Sequence, residues 1–185
     1  LFPETRCIAV EPEKNMAETC RNKGLEVVEA FAEHVDSYVG IADLTVCFEV
    51  FEHVYNPIDF LRILGDFTRQ GGYLMISTLG VDGFDIQVLW ESSTSVSPPH
   101  HINFLSVEGF KSLFRRIGFE DVTILTPGKL DVDIVRNAYR KDPNVLKGQR
   151  YLKALLADKL KSEAFQNFIS ENLMSSHTWV IAKKS

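Results

Sequence analysis

The sequence of 185 residues has the length of one domain, and its 45% hydrophobic and 24% charged content is that of an ordinary globular protein. Its net charge of −5 argues against a nucleic-acid surface, no apolar run approaches the roughly 20 residues that span a bilayer, and no signal-like segment opens the chain. Cys7, Cys20 and Cys47 have no metal-binding spacing, and Cys7 and Cys47 stand in apolar strand-like runs, so the simple reading is a cytoplasmic protein.

In chain order, "RCIAVEPEK" comes first. Its apolar run Cys7–Val10 ends on the acid Glu11, with Pro12 behind it, and a helical segment from Glu13 to Lys23 stops at Gly24. A second short strand follows at Leu25–Val28. "DLTVCF", Asp43 to Phe48, is nearly all apolar over strand length, which predicts a strand buried on both faces of a parallel sheet. Asn56 and Pro57 start a helix. Ile58, Leu61, Leu64 and Phe67 repeat at helical spacing, and Gly71-Gly72 is its expected end. Tyr73–Thr78 is the next strand, Ser106–Ile117 an amphipathic helix with Ser106 as N-cap, and Phe119–Leu125 another strand. Helices are expected over Val132–Arg140, Gln149–Lys161 and Ser162–Asn172, then a last strand, His177–Ala182. Leu152, Leu155, Leu156 and Leu160 make a stripe of the kind that faces a core. Alternating strands and helices imply an α/β domain with a parallel sheet. The core spans residues 1–128 with 176–185, and a helical insertion spans 129–175, which could cover a pocket or join two subunits of a homodimer.

In open parallel sheets ligands sit at the carboxyl ends of the strands. Those ends carry Glu11, the Glu29–Glu33 loop, "EVFEHV" (Glu49 to Val54) and "TLGVDGFD" (Thr78 to Asp85). A strand-end acid such as Glu11 can accept hydrogen bonds from both hydroxyls of a ribose. Asp82, Asp85, Gln87 and Trp90 could read a polar substrate with an apolar face, such as a sugar; the alternative is a surface helix with one buried Trp. Pro98 and Pro99 fix the backbone before His100 and His101. Two adjacent histidines with no further ligand at useful spacing do not make a zinc site, so no metal is expected. Glu52 and His53, at the start of a loop, are read as satisfying backbone groups.

The block "ADLTVCFEVFEHVYNPIDFLRILGDFTRQGGYLMIST" resembles the central part of class I S-adenosylmethionine-dependent methyltransferases. "PPHHINFLSVEGFKSLFRRIGFEDV" is similar to a segment of the subgroup that acts on small molecules and sugars. The resemblance covers almost the whole chain. It implies a Rossmann-like, doubly wound, mostly parallel sheet with an antiparallel last strand. S-adenosylmethionine is the implied cofactor, with methyl transfer to a hydroxyl of a small molecule or glycan and neither nucleic acid nor membrane as partner. Glu11, with Pro12, would hold the ribose; Phe31 would lie against the adenine with Glu33 close by; Glu49, with Val50, would line the floor at the methionine end. His101 matches the family's histidine and would act as base, with His100 beside it and Asn103 on the substrate side. The family also places a strand and a G-x-G-x-G turn ahead of the position of Glu11. Here the first glycine is Gly24, so the reading is of an N-terminally incomplete sheet. Two other readings stay open: a cofactor-free interaction domain of methyltransferase ancestry, and an NAD-dependent oxidoreductase, whose ribose Glu11 would also suit.

Overall fold

The computed structural model describes residues 4–185. Strand β1, Ile8–Val10, pairs in parallel with β2, Glu26–Val28, across helix α1, Lys14–Asn22. The Glu13 carboxylate starts α1 by accepting from the Asn15 and Met16 amides at 3.0 and 2.8 Å. These two bonds hold its carboxyl below the usual range. Cys7 falls outside β1 and is exposed.

Strand β3, Ala42–Phe48, pairs in parallel with β4, Thr68–Leu79. Between them α2, Pro57–Phe67, is capped by Asn56, whose side-chain oxygen accepts from the Asp59 amide at 3.3 Å. The helix stops at Phe67, four residues short of the expected Gly71-Gly72. Thr68 turns to extended backbone and pairs with Ala42, so the chain enters β4 early and breaks register between Ala42 and Leu44. Gly72 sits in that break, where a Cβ would come within 3.0 Å of the carbonyl oxygens of Ala42, Asp43 and Arg69. It is needed for close backbone approach and not as a helix stop.

After β4 come α3, Phe84–Leu89; α4, Val107–Arg116; and β5, Phe119–Leu125. Helices α5, Asp131–Lys141; α6, Arg150–Ala157; and α7, Lys159–Glu171, lead into β6, His177–Lys184. Strand β6 runs antiparallel to both β4 and β5, which gives the order β3-β4-β6-β5. Among the described residues β1 and β2 form a separate two-stranded sheet.

The main core packs α2 and α4 against the four-stranded sheet through Phe51, Leu61, Leu74, Ile76, Phe110 and Phe114, each fully buried. A second cluster joins α3 to α5, α6 and α7 through Phe84, Leu89, Val132, Val135, Leu156 and Ile169. Helix α3 is therefore an inner element, and Trp90 at its end is exposed, the reverse of a surface helix with a buried Trp.

Two further expectations are corrected. Strand β3 is not buried on both faces: Leu44, Val46 and Phe48 are 55%, 47% and 54% exposed, because no described element covers them. The break between the last two helices falls at Asp158 instead of after Lys161. The Asp158 carboxylate accepts from the Lys161 amide at 3.1 Å and starts α7 there, which puts Leu160 out of phase and leaves it exposed.

Candidate functional site

Glu11 and Glu49 stand at the carboxyl ends of parallel strands in the two sheets. Glu11 follows β1 directly, its amide bonded to the Val28 carbonyl at 3.0 Å. One carboxylate oxygen accepts from the Glu13 amide at 2.9 Å, which fixes the side chain and leaves the second oxygen without a protein partner among the described residues. Pro12 beside it is exposed. Past β2, Phe31 is 60% exposed, its ring edge-on to His34 with centroids 6.1 Å apart. Glu33 lies one residue into the following 3-10 turn, Ala32–His34, and is exposed.

Glu49 ends β3 with a left-handed backbone, φ 52°. Its carboxylate accepts from the Ser77 hydroxyl at 2.6 Å and stands 3.5 Å from Nδ1 of His177. The Trp179 indole donates to Nε2 of His177 at 2.8 Å, so the imidazole proton sits on Nδ1 and points at Glu49. Sequence reasoning missed Ser77 and His177. Their signal is antiparallel pairing, which sets His177 opposite Leu79 at the strand-end level. Val50 next to Glu49 is partly exposed.

The histidines pair differently from their order in sequence. His100 is exposed, and its backbone carbonyl accepts from Nδ1 of His53 at 2.9 Å. His101 points the other way. Its Nδ1 donates to the Ser95 carbonyl at 2.8 Å and lies 3.3 Å from the Ser97 hydroxyl, and its ring packs against that of His53, centroids 4.7 Å apart and planes tilted at 59°. A carbonyl only accepts, so in both rings Nδ1 carries a proton, and in the neutral imidazole Nε2 holds the lone pair. Glu52 completes the cluster. It is 2% exposed and accepts from the Thr78 hydroxyl at 2.8 Å. Donor atoms of Glu52, His53 and His101 lie within 4.8 Å of one another, so these three, and not the His100–His101 pair, have the composition of a divalent-cation set.

Asn103 turns its side-chain NH2 onto the backbone. Its side-chain amide donates to the Phe51 and Val54 carbonyls at 3.1 and 2.6 Å, while the Ile102 amide bonds the Glu52 carbonyl at 2.8 Å. This stitch ties the two histidine loops together.

The residues after β4 also divide. Asp82 accepts from the Val107 amide at 2.8 Å and so supports the start of α4. Gln87 is exposed and donates to the Val81 carbonyl at 2.8 Å. Trp90 borders an apolar cavity of about 250 Å³ with Val81, Ile86, Val96 and Phe104. Asp85 is fully buried, so it cannot read a substrate; neither of its oxygens completes a hydrogen bond, although Asp131, Ser176 and the Ile86 amide are its polar neighbours. Burial, with the Asp131 charge, pushes its carboxyl up to about 6. Asp131 itself is well met, by the Ser175 and Ser176 hydroxyls, the Ser176 amide and Gln166.

Parallel α/β units in two sheets, with an acid after β1 and another after β3, make a fold of the Rossmann-like class. Residues 1–124 match the model of the methyltransferase-domain family, and the chain belongs to that family, within the class I S-adenosylmethionine-dependent methyltransferases. Over 57 residues it is 35% identical to the ubiquinone biosynthesis O-methyltransferase of Escherichia coli, covering 31% of this chain and 24% of that protein. It is 29% identical over 101 residues to the tRNA U34 carboxymethyltransferase of a Sulfurovum strain, covering 55% and 34%. The matched part thus spans about a quarter to a third of these curated relatives. A solved SAM-dependent methyltransferase of Thermotoga maritima shares the fold with a TM-score of 0.62 at 20% identity, covering 96% of this chain and 72% of that one.

Proposed function

We propose that the chain transfers a methyl group from S-adenosylmethionine to an oxygen of a small organic molecule. The observation that carries this reading is the strand-end set of Glu11, Phe31 and Glu49. A half-buried carboxylate with one free oxygen after β1, an exposed ring after β2 and a held acid after β3 fit a ribose, a flat base and an ammonium-bearing end. When bound, S-adenosylmethionine supplies an electrophilic methyl on its sulfonium. The chain contributes position and charge. Glu11, oriented by the Glu13 amide, accepts from the ribose hydroxyls; Pro12 and Val50 flank that path; Phe31 takes the base, with Glu33 at its rim; Glu49 meets the ammonium.

His101 is the base of this proposal. Its Nδ1–H is spent on Ser95, so the Nε2 of the neutral ring can take the proton of an acceptor hydroxyl. His100 only lends its carbonyl to His53. The acceptor's apolar part fits the cavity bordered by Val81, Trp90 and Phe104. An oxygen acceptor agrees with the O-methyltransferase among the relatives, and a net charge of −5 favours a small molecule over the tRNA of the other.

Calorimetric titration with S-adenosylhomocysteine tests the reading. Micromolar binding that Glu11→Ala weakens at least tenfold is expected. A folded sample that gives no heat would remove the cofactor assignment.

A further inference from the structure

Helices α5, α6 and α7 enclose a cleft of about 660 Å³, a size common for small-molecule sites. Its charge runs against that of the chain. Lys129, Arg136, Arg140, Lys153 and Lys159 line it, against the two carboxylates Asp133 and Glu163, in a protein whose net charge is −5. Both carboxylates are already matched within the cleft: Asp133 pairs with Arg136, and Glu163 stands 3.8 Å from Lys159. Among the described residues Lys129, Arg140 and Lys153 have no carboxylate partner.

The cations are not all loose surface side chains. Arg136 is half-buried and donates from Nε to the Leu156 carbonyl at 3.1 Å. The Lys153 ammonium is held over the Tyr139 ring, 5.2 Å from its centroid. Val132 and Leu156 give the cleft an apolar floor, with buried Gln166 and Ser162 beside them. Concentrated, underneutralised positive charge over an apolar floor is a setting for an anion that carries an organic body. A phosphate ester suits it, since guanidinium and ammonium groups bind phosphate oxygens through charge-assisted bonds.

The cleft also lies at the relevant end of the sheet. Asp131, at the start of α5, accepts from the Ser175 hydroxyl and the Ser176 amide just ahead of β6, and β6 begins opposite the end of β4. We infer that the α5–α6–α7 cleft binds the phosphate or diphosphate group of a small organic molecule, held by Lys129, Arg140 and Lys153. This assignment stands apart from the methyl-transfer reading, since it uses none of the strand-end residues.

Inorganic pyrophosphate is the probe, titrated calorimetrically into the chain at low salt. One site per chain is expected, weakened at least tenfold by the double substitution Lys129→Gln, Arg140→Gln. Both residues are exposed, so the fold should tolerate the change. Lys14→Gln on α1, also exposed, should leave the affinity unchanged. Lys153→Gln gives a second test within the cleft, again with at least tenfold weakening. Absence of binding overturns the inference, as does equal affinity in wild type and double variant. Single-stranded RNA that displaces pyrophosphate, and binds more tightly with a steep salt dependence, also overturns it, because the surface would then be one for nucleic acid. S-adenosylhomocysteine titration of the same double variant keeps the two readings separable: cofactor affinity should not move.

Discussion

His53 and His101 come from loops far apart in the chain, yet their rings pack against each other and their Nδ1 atoms are both fixed by backbone carbonyls. Tautomer control of this kind is a residue-level property, and it is what suits His101 to accept a proton at Nε2. His101→Ala should lower turnover by about 10²–10⁴-fold, the usual contribution of a positioned base, with little change in S-adenosylhomocysteine affinity. A matched loss of both would make His101 a binding residue instead. Glu11 and Glu49 were legible in the sequence because an acid after a short apolar run marks a strand end. The partnership of His101 with His53 was not, since adjacency pointed to His100. The backbone contacts of Asn103 were hidden for a related reason: a polar side chain in a loop between candidate residues can serve the backbone, and here it donates to two carbonyls.

At the scale of elements, α3 and α5 meet through Asp85 and Asp131. Asp85 titrates near 6 in the folded chain, above the ordinary aspartate value of about 3.9, so the native state binds this proton more tightly than the unfolded one. Stability from this group is therefore full below about pH 4 and falls as pH rises to about 6, where the buried carboxyl ionises beside Asp131. Asp85→Asn keeps the shape of the neutral acid and removes that charge. It should stabilise the fold by about 1–3 kcal/mol at pH 8 and change it little near pH 4, as urea denaturation at the two pH values would measure. No pH dependence in the difference would rule out an ionising Asp85. The helices themselves were readable where periodicity met a cap, as at Asn56 and Ser106. The α6–α7 break was hidden because Asp158 lies in a polar stretch, where a capping acid looks like any surface charge. Asp85 was misassigned because its place after a strand end resembles a site, and burial by α5 and β6 is invisible locally.

At the scale of the whole molecule, the four-stranded sheet has one open flank among the described residues. Strand β3 stands at the end of the order β3-β4-β6-β5, and Leu44, Val46 and Phe48 are exposed on it. An apolar, unpaired edge is a template for pairing with another chain. The chain should therefore self-associate with rising concentration, and Val46→Lys should shift it toward monomer in sedimentation runs. Identical distributions for the two proteins would mean that the edge is inert. The sequence predicted this strand correctly and its surroundings wrongly, because an apolar run reports what a strand can bury and not what lies beside it.

The position of β6 has a consequence for the order of assembly. Strand β4 is central, yet one of its neighbours arrives about a hundred residues later, as the register Tyr73 with Lys183 and Leu79 with His177 shows. During synthesis, β3, β4 and α2 emerge long before the strand that covers the other edge of β4. Contacts of such long sequence separation slow folding. A nascent chain would thus carry an unfinished sheet until β6 has left the ribosome and paired with β4 and β5.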